Sequence, residues 1–198
     1  GNMSLNPLAE RYASKEMVRN FSTENRYRVW RELWIAHASA LRKCGLDIKE
    51  NELRSLKRNA NKLNLKKAVS YEKKFKHEVV AQIKAFSEQC GRGGRIIHLG
   101  ATSAFVMDNG DLILMKRGLL ILRERIVYVI RSLTKFCMKF RSTPTVGFSH
   151  FQPAQPTTVG KRAAIWLQDF VFDLLSLDTL IRNLPLLGMK GAVGTQDS

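Results

Sequence analysis

The chain has 198 residues, 44% of them hydrophobic, so it can bury one sizeable core and is not generally disordered. Its formal net charge of +16 permits a nucleic acid, an anionic membrane, an acidic partner or a polyanionic small substrate. The lysines and arginines are scattered, with no RNA-binding, zinc-finger or basic-zipper pattern. This distribution favours a solvated basic surface.

The cysteines Cys44, Cys90 and Cys137 are far apart in the sequence. They form no CxxC pair and no Cys/His ligand set, so the sequence predicts neither a disulfide framework nor a metal site. A reducing cytoplasm fits this usage best. Charges interrupt every apolar run, and no membrane span is expected.

The first part of the chain is predicted to form helices that begin at hydroxyl caps. Ser14 is a candidate N-cap for a helix over Lys15–Phe21, and Ser22 or the following threonine for one over Glu24–Cys44. In the second helix, apolar residues recur at steps of three and four, a stripe typical of core packing. His37 lies in this helix, and we expect a hydrogen-bonded core or surface histidine there.

Two further helical segments are predicted, a lysine-rich helical hairpin over Ile48–Asn64 and one longer helix over Leu65–Cys90. The longer helix carries Lys76, His77 and Glu78 in succession. A carboxylate beside a histidine can tune it, yet neighbouring side chains on a helix point about 100° apart. From spacing alone, a solvated charged turn is the simpler interpretation.

Glycines interrupt the chain twice after this helix. The run Gly91–Gly94 must end the helix, although it matches no phosphate-binding glycine pattern. The run Gly100–Ser103 then places the hydroxyls of Thr102 and Ser103 beside small residues that could admit a ligand. A simple helix cap is the alternative.

Two long helices are predicted over Gly110–Phe140 and Thr158–Leu184. The second is apolar on nearly every side, and such a helix must be surrounded. One chain of this length offers few neighbours for it. We therefore expect a helical bundle that is completed by other subunits or by further sequence.

Between these helices, the stretch Thr145–Gly160 combines a histidine, hydroxyls, amides, glycines and two prolines. Pro153 and Pro156 oppose a continuous helix, which predicts a short, stiff loop that holds His150 at the start of a helix. A positioned imidazole can exchange a proton near neutral pH. Spacing alone equally allows an ordinary helix–helix connection with a hydrogen-bonded histidine.

Five segments together resemble the adenylosuccinate lyases, a family within the fumarase/aspartase superfamily. They occur in the right order and cover essentially the whole chain. They are R-Y-A-S (Arg11–Ser14), K-H-E-V (Lys76–Val79), H-L-G-A-T-S (His98–Ser103), S-H-F-Q-P-A-Q-P-T-T-V-G-K-R (Ser149–Arg162) and G-A-V-G-T-Q (Gly191–Gln196).

The resemblance implies an all-α protein that assembles as a cytoplasmic homotetramer around a central bundle of long helices. A small N-terminal helical domain would span residues 1–103, and residues 104–198 would begin the bundle. The implied reaction is β-elimination of fumarate from adenylosuccinate, giving AMP, and from the succinyl-carboxamide ribotide of purine biosynthesis. Small molecules are thus the expected ligands, without a metal, an organic cofactor, a nucleic acid or a membrane.

The resemblance also assigns roles to matching residues. His150 would be the general acid that protonates the departing nitrogen, and His77 would help to hold the anionic substrate. The remaining substrate-binding residues would be Arg11 and Tyr12 at the phosphate, Thr102 and Ser103 at the succinyl carboxylate, Lys76 and Glu78 beside the substrate, and Ser149 and Gln152 in the loop of the acid.

The chain departs from the family in four places. Lys76 and Glu78 stand where the family usually has arginine and aspartate, Ser149 replaces a threonine, and Asp197 replaces a small residue. The serine loop that supplies the family's base is expected beyond residue 198, so the isolated chain is expected to be inactive. A non-catalytic, lyase-like assembly or regulatory subunit is the alternative, and nucleic-acid binding ranks last.

Overall fold

The computed structural model describes residues 13–185, which form seven α-helices, one 3-10 helix and one two-stranded sheet. The helices are α1 (Lys15–Asn20), α2 (Thr23–Lys43), α3 (Glu50–Asn59), α4 (Leu65–Phe75), α5 (Glu78–Cys90), α6 (Ser103–Lys139) and α7 (Val159–Asn183), with the 3-10 helix at Gly91–Ile96. The strands are β1 (Pro144–Ser149) and β2 (Gln152–Thr158). The all-α class is confirmed.

The predicted caps of the first helices are confirmed. The hydroxyl of Ser14 accepts a hydrogen bond from the Met17 amide at 3.1 Å and so begins α1. Ser22 begins α2 in the same way, through the amide of Asn25. These bonds satisfy amides that the first turn of a helix leaves without a partner.

The predicted helical hairpin over residues 48–64 is wrong, because the segment contains the single helix α3. Only one short apolar face is available, with Leu53 and Leu56 buried against the core. The chain then turns until the Asn64 side chain accepts from the Lys67 amide and starts α4.

The predicted single helix over residues 65–90 is also wrong. The chain leaves the helical conformation at Lys76, which has a left-handed backbone with φ of 53°, and resumes as α5 after His77. Periodicity did not reveal this break, because apolar residues continue at helical spacing on both sides of it. The glycine run ends α5 as predicted, since Gly91 begins the 3-10 helix with φ of 57°.

The core of this part of the chain is an aromatic ladder along α2. The ring centroids of Trp30 and Trp34 lie 6.4 Å apart, and Phe86 of α5 lies 6.3 Å from Trp34. All three side chains are fully buried, and Leu56 and Ile96 complete the cluster. The ladder fixes α2 as the element against which the other helices pack.

Arg31 is an unusual member of this core because its guanidinium is buried without a carboxylate partner. Its Nη1 donates to the carbonyl of Asn59 at 2.8 Å, to that of Lys62 at 3.3 Å and to the Gln89 side chain at 2.7 Å. The group also lies 4.4 Å from the centroid of the Phe86 ring. Burial lowers the pKa of Arg31 to about 10.

Helix α6 begins at Ser103 rather than at the predicted Gly110. The earlier start buries Phe105 and Val106 in the core. Gly110 lies inside the helix where it passes Trp30, and a Cβ there would lie 2.9 Å from the indole Nε1. This glycine therefore permits close helix packing and does not mark a helix start.

The chain divides into two compact units, and Gly118–Leu184 forms the second one. In it, the rest of α6 pairs with α7 through an Arg123–Asp178 ion pair, whose Nε–Oδ1 distance is 2.6 Å. The predicted second long helix is confirmed as α7, with Thr158 as its N-cap. The proposed boundary between residues 103 and 104 stays a prediction.

The predicted loop over residues 145–160 is wrong, because this stretch forms the antiparallel hairpin of β1 and β2. Pro153 and Pro156 occupy β2 opposite Phe148 and Val146. A two-stranded sheet tolerates prolines, since each strand keeps an edge that needs no donor. Across residues 13–185, no helix has a stretch long and apolar enough to cross a membrane.

Candidate active site

The break between α4 and α5 presents the first pair of predicted site residues, Lys76 and His77. Both are exposed, and His77 is the N-cap of α5. Its Nδ1 accepts a hydrogen bond from the Val80 amide at 3.3 Å. A ring nitrogen that accepts carries no proton, so the proton of the neutral ring resides on Nε2. The break therefore presents His77 as a donor through Nε2.

The third residue of this motif, Glu78, is engaged with α2. Its Oε1 accepts from the hydroxyl of Tyr27 at 2.7 Å and from Nη1 of Arg26 at 2.9 Å. Burial, and then the hydrogen bond to Glu78, raise the pKa of Tyr27 above its ordinary value. The carboxylate thus fixes the first turn of α5, while its Oε2 has no partner within residues 13–185.

The segment before α6 is also fastened to α2. The indole Nε1 of Trp34 donates to Nδ1 of His98 at 2.9 Å, and Nε2 of His37 lies 2.6 Å from the Leu99 carbonyl. His98 and Gly100 both have positive φ, 63° and 64°, so the backbone turns sharply here. Burial, with a smaller effect of His37, lowers the pKa of His98.

Thr102 and Ser103 lie where this turn meets α6, a helix of 37 residues. Thr102 is exposed and Ser103 is half-buried, and neither hydroxyl has a hydrogen-bond partner in the part of the chain that the structure describes. The N-terminal end of a helix carries a partial positive charge and amides without intrahelical partners. Hydroxyls at that end suit a carboxylate or phosphate oxygen.

The hairpin presents the second histidine. His150 and Phe151 form the two-residue turn between Ser149 and Gln152, with φ values of 47° and 62°. Positive φ at both central residues defines a type I′ turn, for which asparagine and glycine are the usual residues. A bulky side chain in this conformation is strained, and such strain clusters at functional sites. Phe151 is 101% exposed, and His150 is exposed with no described partner.

The base of the hairpin is tightly held within the second unit. The Val159 amide donates to the Thr143 carbonyl at 2.9 Å, and the Gly160 amide to the Phe140 carbonyl at 3.0 Å. A Cβ on Gly160 would lie 2.5 Å from the Cys137 carbonyl oxygen. Only glycine permits this approach, which fixes the direction in which the hairpin leaves the helices.

The structure therefore brings the predicted residues together in three groups. Each group is held within one compact unit. The groups are Lys76, His77 and Glu78 at the helix break, Thr102 and Ser103 at the start of α6, and His150 and Gln152 at the hairpin tip. Arg11, Tyr12, Asp197 and the side chain of Ser149 lie outside the described part of the chain.

Comparison with known proteins identifies the family. The family model described as "Lyase" matches residues 11–197. The chain belongs to the lyase family. It is 42% identical to the adenylosuccinate lyases of Saccharomyces cerevisiae, over 97% of this chain, and of Schistosoma mansoni, over 98%. The lyase chain spans about 40% of the length of these curated relatives. The resemblance stated from the motifs is confirmed.

Solved structures show that the fold is shared with lyase-type enzymes. A fumarate lyase from Mesorhizobium sp. BNC1 aligns with a TM-score of 0.75 at 24% identity, covering 90% of this chain and 45% of that one. The β-carboxy-cis,cis-muconate cycloisomerase of Acinetobacter calcoaceticus aligns with a TM-score of 0.77 at 19% identity, over 97% and 47%. At these identities the likeness concerns the fold alone.

Sequence reasoning missed the residues of α2 that hold the two motifs of this lyase-family chain. The stripe of α2 predicted core packing, which hid the polar contacts of Tyr27 and Trp34, whereas the hydrogen-bonded histidine expected at His37 is confirmed. Their partners lie more than 50 residues away in the sequence, and local spacing carries no signal over that separation. His98 had a signal, since it begins the H-L-G-A-T-S motif, but no role was assigned to it.

Proposed function

We propose that the protein is an adenylosuccinate lyase, which eliminates fumarate from adenylosuccinate to give AMP and from the succinyl-carboxamide ribotide. The observation that carries this proposal is the 42% identity to two adenylosuccinate lyases across nearly the whole chain. The alternative, a lyase-like subunit without activity, rests on the departures at Lys76, Glu78, Ser149 and Asp197.

In the proposed reaction, a base removes a proton from the succinyl carbon next to the carbon–nitrogen bond. The electron pair left on carbon is stabilised by a carboxylate, and the carbon–nitrogen bond then breaks to form the double bond of fumarate. His150 gives its proton to the departing nitrogen as general acid. The strained turn supports this role, because it leaves the imidazole exposed and without a partner in residues 13–185.

The anionic groups of the substrate need fixed donors. Thr102 and Ser103 at the start of α6 would bind the succinyl carboxylate, where developing charge is largest. His77 would donate through Nε2, with Lys76 and Glu78 beside it. Ser149 and Gln152 would shape the turn of the acid, and Arg11 and Tyr12 would meet the phosphate. No metal or organic cofactor takes part in this scheme, and the base would come from sequence outside these 198 residues.

We further propose a cytoplasmic homotetramer. Cys44, Cys90 and Cys137 are free thiols, as in a reducing compartment. Large apolar side chains of α7 are exposed, among them Trp166 at 58% and Phe172 at 56%. Many large exposed apolar side chains on one helix are typical of an interface. Light scattering of the full-length protein should give four times the chain mass, and a monomer at micromolar concentration would contradict the assembly.

The activity is tested by following fumarate and AMP formation with the full-length protein and its His150→Gln variant. Loss of a general acid lowers the rate by about 10²–10⁴-fold. Lys135→Gln, an exposed change on α6 in the same unit, is the matched control and should keep the parental rate. An undiminished rate in His150→Gln would refute the assignment of the acid. An inactive parent that still assembles would favour the non-catalytic subunit.

A further inference from the structure

We propose that Tyr27 and Arg26 are positioning residues for His77, acting through Glu78. The inference deepens the proposed function, in which His77 hydrogen-bonds the substrate, and it rests on that function. Neither residue lies in one of the five motif segments to which the resemblance assigns a role. The observation that carries the proposal is that the Tyr27 hydroxyl and the Arg26 guanidinium both donate to Oε1 of Glu78, the residue after His77.

Both donors are themselves fixed by the core. The Tyr27 ring lies 5.2 Å from the ring of Trp30, and Tyr27 is only 7% exposed. The Arg26 guanidinium lies 4.8 Å from the centroid of the Trp30 ring. Because Trp30 is fully buried, the two donors hold Glu78 at a place set by the most rigid part of the unit.

Glu78 passes this constraint to the histidine through the first turn of α5. In an uninterrupted helix the Val80 amide would bond to the Lys76 carbonyl, four residues earlier. The break leaves that amide to the Nδ1 of His77, which keeps the proton on Nε2. If α4 and α5 joined into one helix, the Val80 amide would no longer donate to Nδ1 of His77. The ring would then lose the hydrogen bond that favours a proton on Nε2. The contacts of Glu78 thus hold the turn in the form that orients His77.

The chain offers a matched control at the other end of α5. There the Tyr71 hydroxyl donates to Oε1 of Glu88, and Lys67 forms an ion pair with the same carboxylate. Like the contacts of Glu78, this set joins a tyrosine, a glutamate and a cation, but it connects α4 with α5. Its carboxylate lies near the C-terminal end of α5, so Tyr71→Phe removes the same chemical group without removing a hydrogen bond at the turn of His77.

The kinetic test uses a double-mutant cycle in the full-length protein. Tyr27→Phe should lower kcat about tenfold, the size of one misplaced hydrogen bond, with KM within about twofold. In a His77→Asn background the same change should have almost no further effect, because the group it positions is gone. Tyr71→Phe should leave kcat unchanged in both backgrounds. Additive losses from Tyr27→Phe and His77→Asn would overturn the proposal.

A second measurement does not depend on activity. Hydrogen exchange at the amides of Val80 and Ala81, which bond to the side chain and the carbonyl of His77, should be at least about tenfold faster in Tyr27→Phe than in the parent, because their protection reflects opening of this turn. The exchange should be unchanged in Tyr71→Phe. Equal protection in Tyr27→Phe and the parent would overturn the proposal even if the protein is an active lyase. If exchange is faster in Tyr27→Phe than in the parent, but the parent has no lyase activity, the positioning of His77 is supported and only the proposed function is refuted.

Discussion

The helix break at Lys76–Glu78 and the hairpin tip at His150 present a histidine in opposite ways. At the break, the backbone and side chain of His77 are held by contacts within its own unit, through Val80 and through Glu78. At the tip, the backbone is held by a tight base at Gly160, while the His150 side chain has no described partner. Near both histidines the backbone leaves regular structure at a positive φ, at Lys76 just before His77 and at His150 itself.

The difference shows how far each region is held by contacts within its own unit. At the break, the hydrogen bonds of His77 and Glu78 have their partners in the same unit. The tip has a strained turn and an exposed aromatic ring at Phe151, and the His150 side chain has no partner within residues 13–185. Substitutions that remove a contact at the break should therefore destabilise the protein, whereas a substitution that relieves the strain at the tip should stabilise it.

The largest effect on stability is expected at the base of the hairpin. Gly160→Ala would place a Cβ 2.5 Å from the Cys137 carbonyl oxygen, a backbone atom that cannot turn aside. Overpacking of this kind costs about 1–3 kcal/mol. Urea unfolding measures the loss. Gly147→Ala is the control, because its Cβ would lie 3.3 Å from the Gln155 carbonyl and needs only a small adjustment. Equal losses would show that the base is not specially tight.

The next effect concerns the strain at the tip. Phe151→Gly should stabilise the protein by about 1 kcal/mol, since glycine adopts a φ of 62° without steric cost. The same change at Phe148, in β1, should destabilise it, because glycine in a strand loses packing and backbone order. Thermal unfolding of the two variants distinguishes these signs. A destabilised Phe151→Gly variant would mean that the turn is not strained.

An effect of similar size and opposite sign is expected at the break. His77→Ala removes the N-cap of α5 and should cost about 1 kcal/mol, whereas His77→Asn keeps a side-chain acceptor and most of the stability. At the tip, His150→Ala should change the free energy of unfolding by less than about 0.5 kcal/mol, because the side chain is exposed. If His150→Ala proved as costly as His77→Ala, the contrast between the two regions would fail.

The smallest effect is a pH dependence that belongs to the break alone. The pKa of Tyr27 is raised above 10.0 in the folded protein, so the unfolded chain loses this proton first as the pH rises. Stability is then lost above pH 10, by at most about 1.4 kcal/mol per pH unit. Tyr27→Phe should remove this part of the loss. Urea unfolding at pH 9 and 10.5 would show it as a smaller difference in the variant than in the parent.

The sequence predicted the long helices and the caps because these follow from local rules. Ser14, Ser22 and Thr158 each begin a helix through their own side chains. Hydrophobic periodicity marks α2, and a long stretch that is apolar on nearly every side marks α7. The motifs also placed His77 and His150 among the site residues. Their roles, and the assignments of the other site residues, stay predictions.

The break at Lys76 and the hairpin were not predictable in this way. A lysine does not predict a left-handed backbone. The contacts that stabilise the break join α5 to α2, which is distant in the sequence. The prolines of β2 pointed to a loop, although a strand with a free edge accepts them. Both features depend on which segments meet in space, and a single sequence does not state that.

Arg31 has a consequence for the behaviour of the first unit in acid. Its acceptors are two main-chain carbonyls and an amide oxygen, and none of them gains a proton at moderately low pH. The link that joins α2 to the end of α3 and to α5 through Arg31 should therefore outlast acidification, so that the aromatic ladder against which Arg31 packs stays assembled.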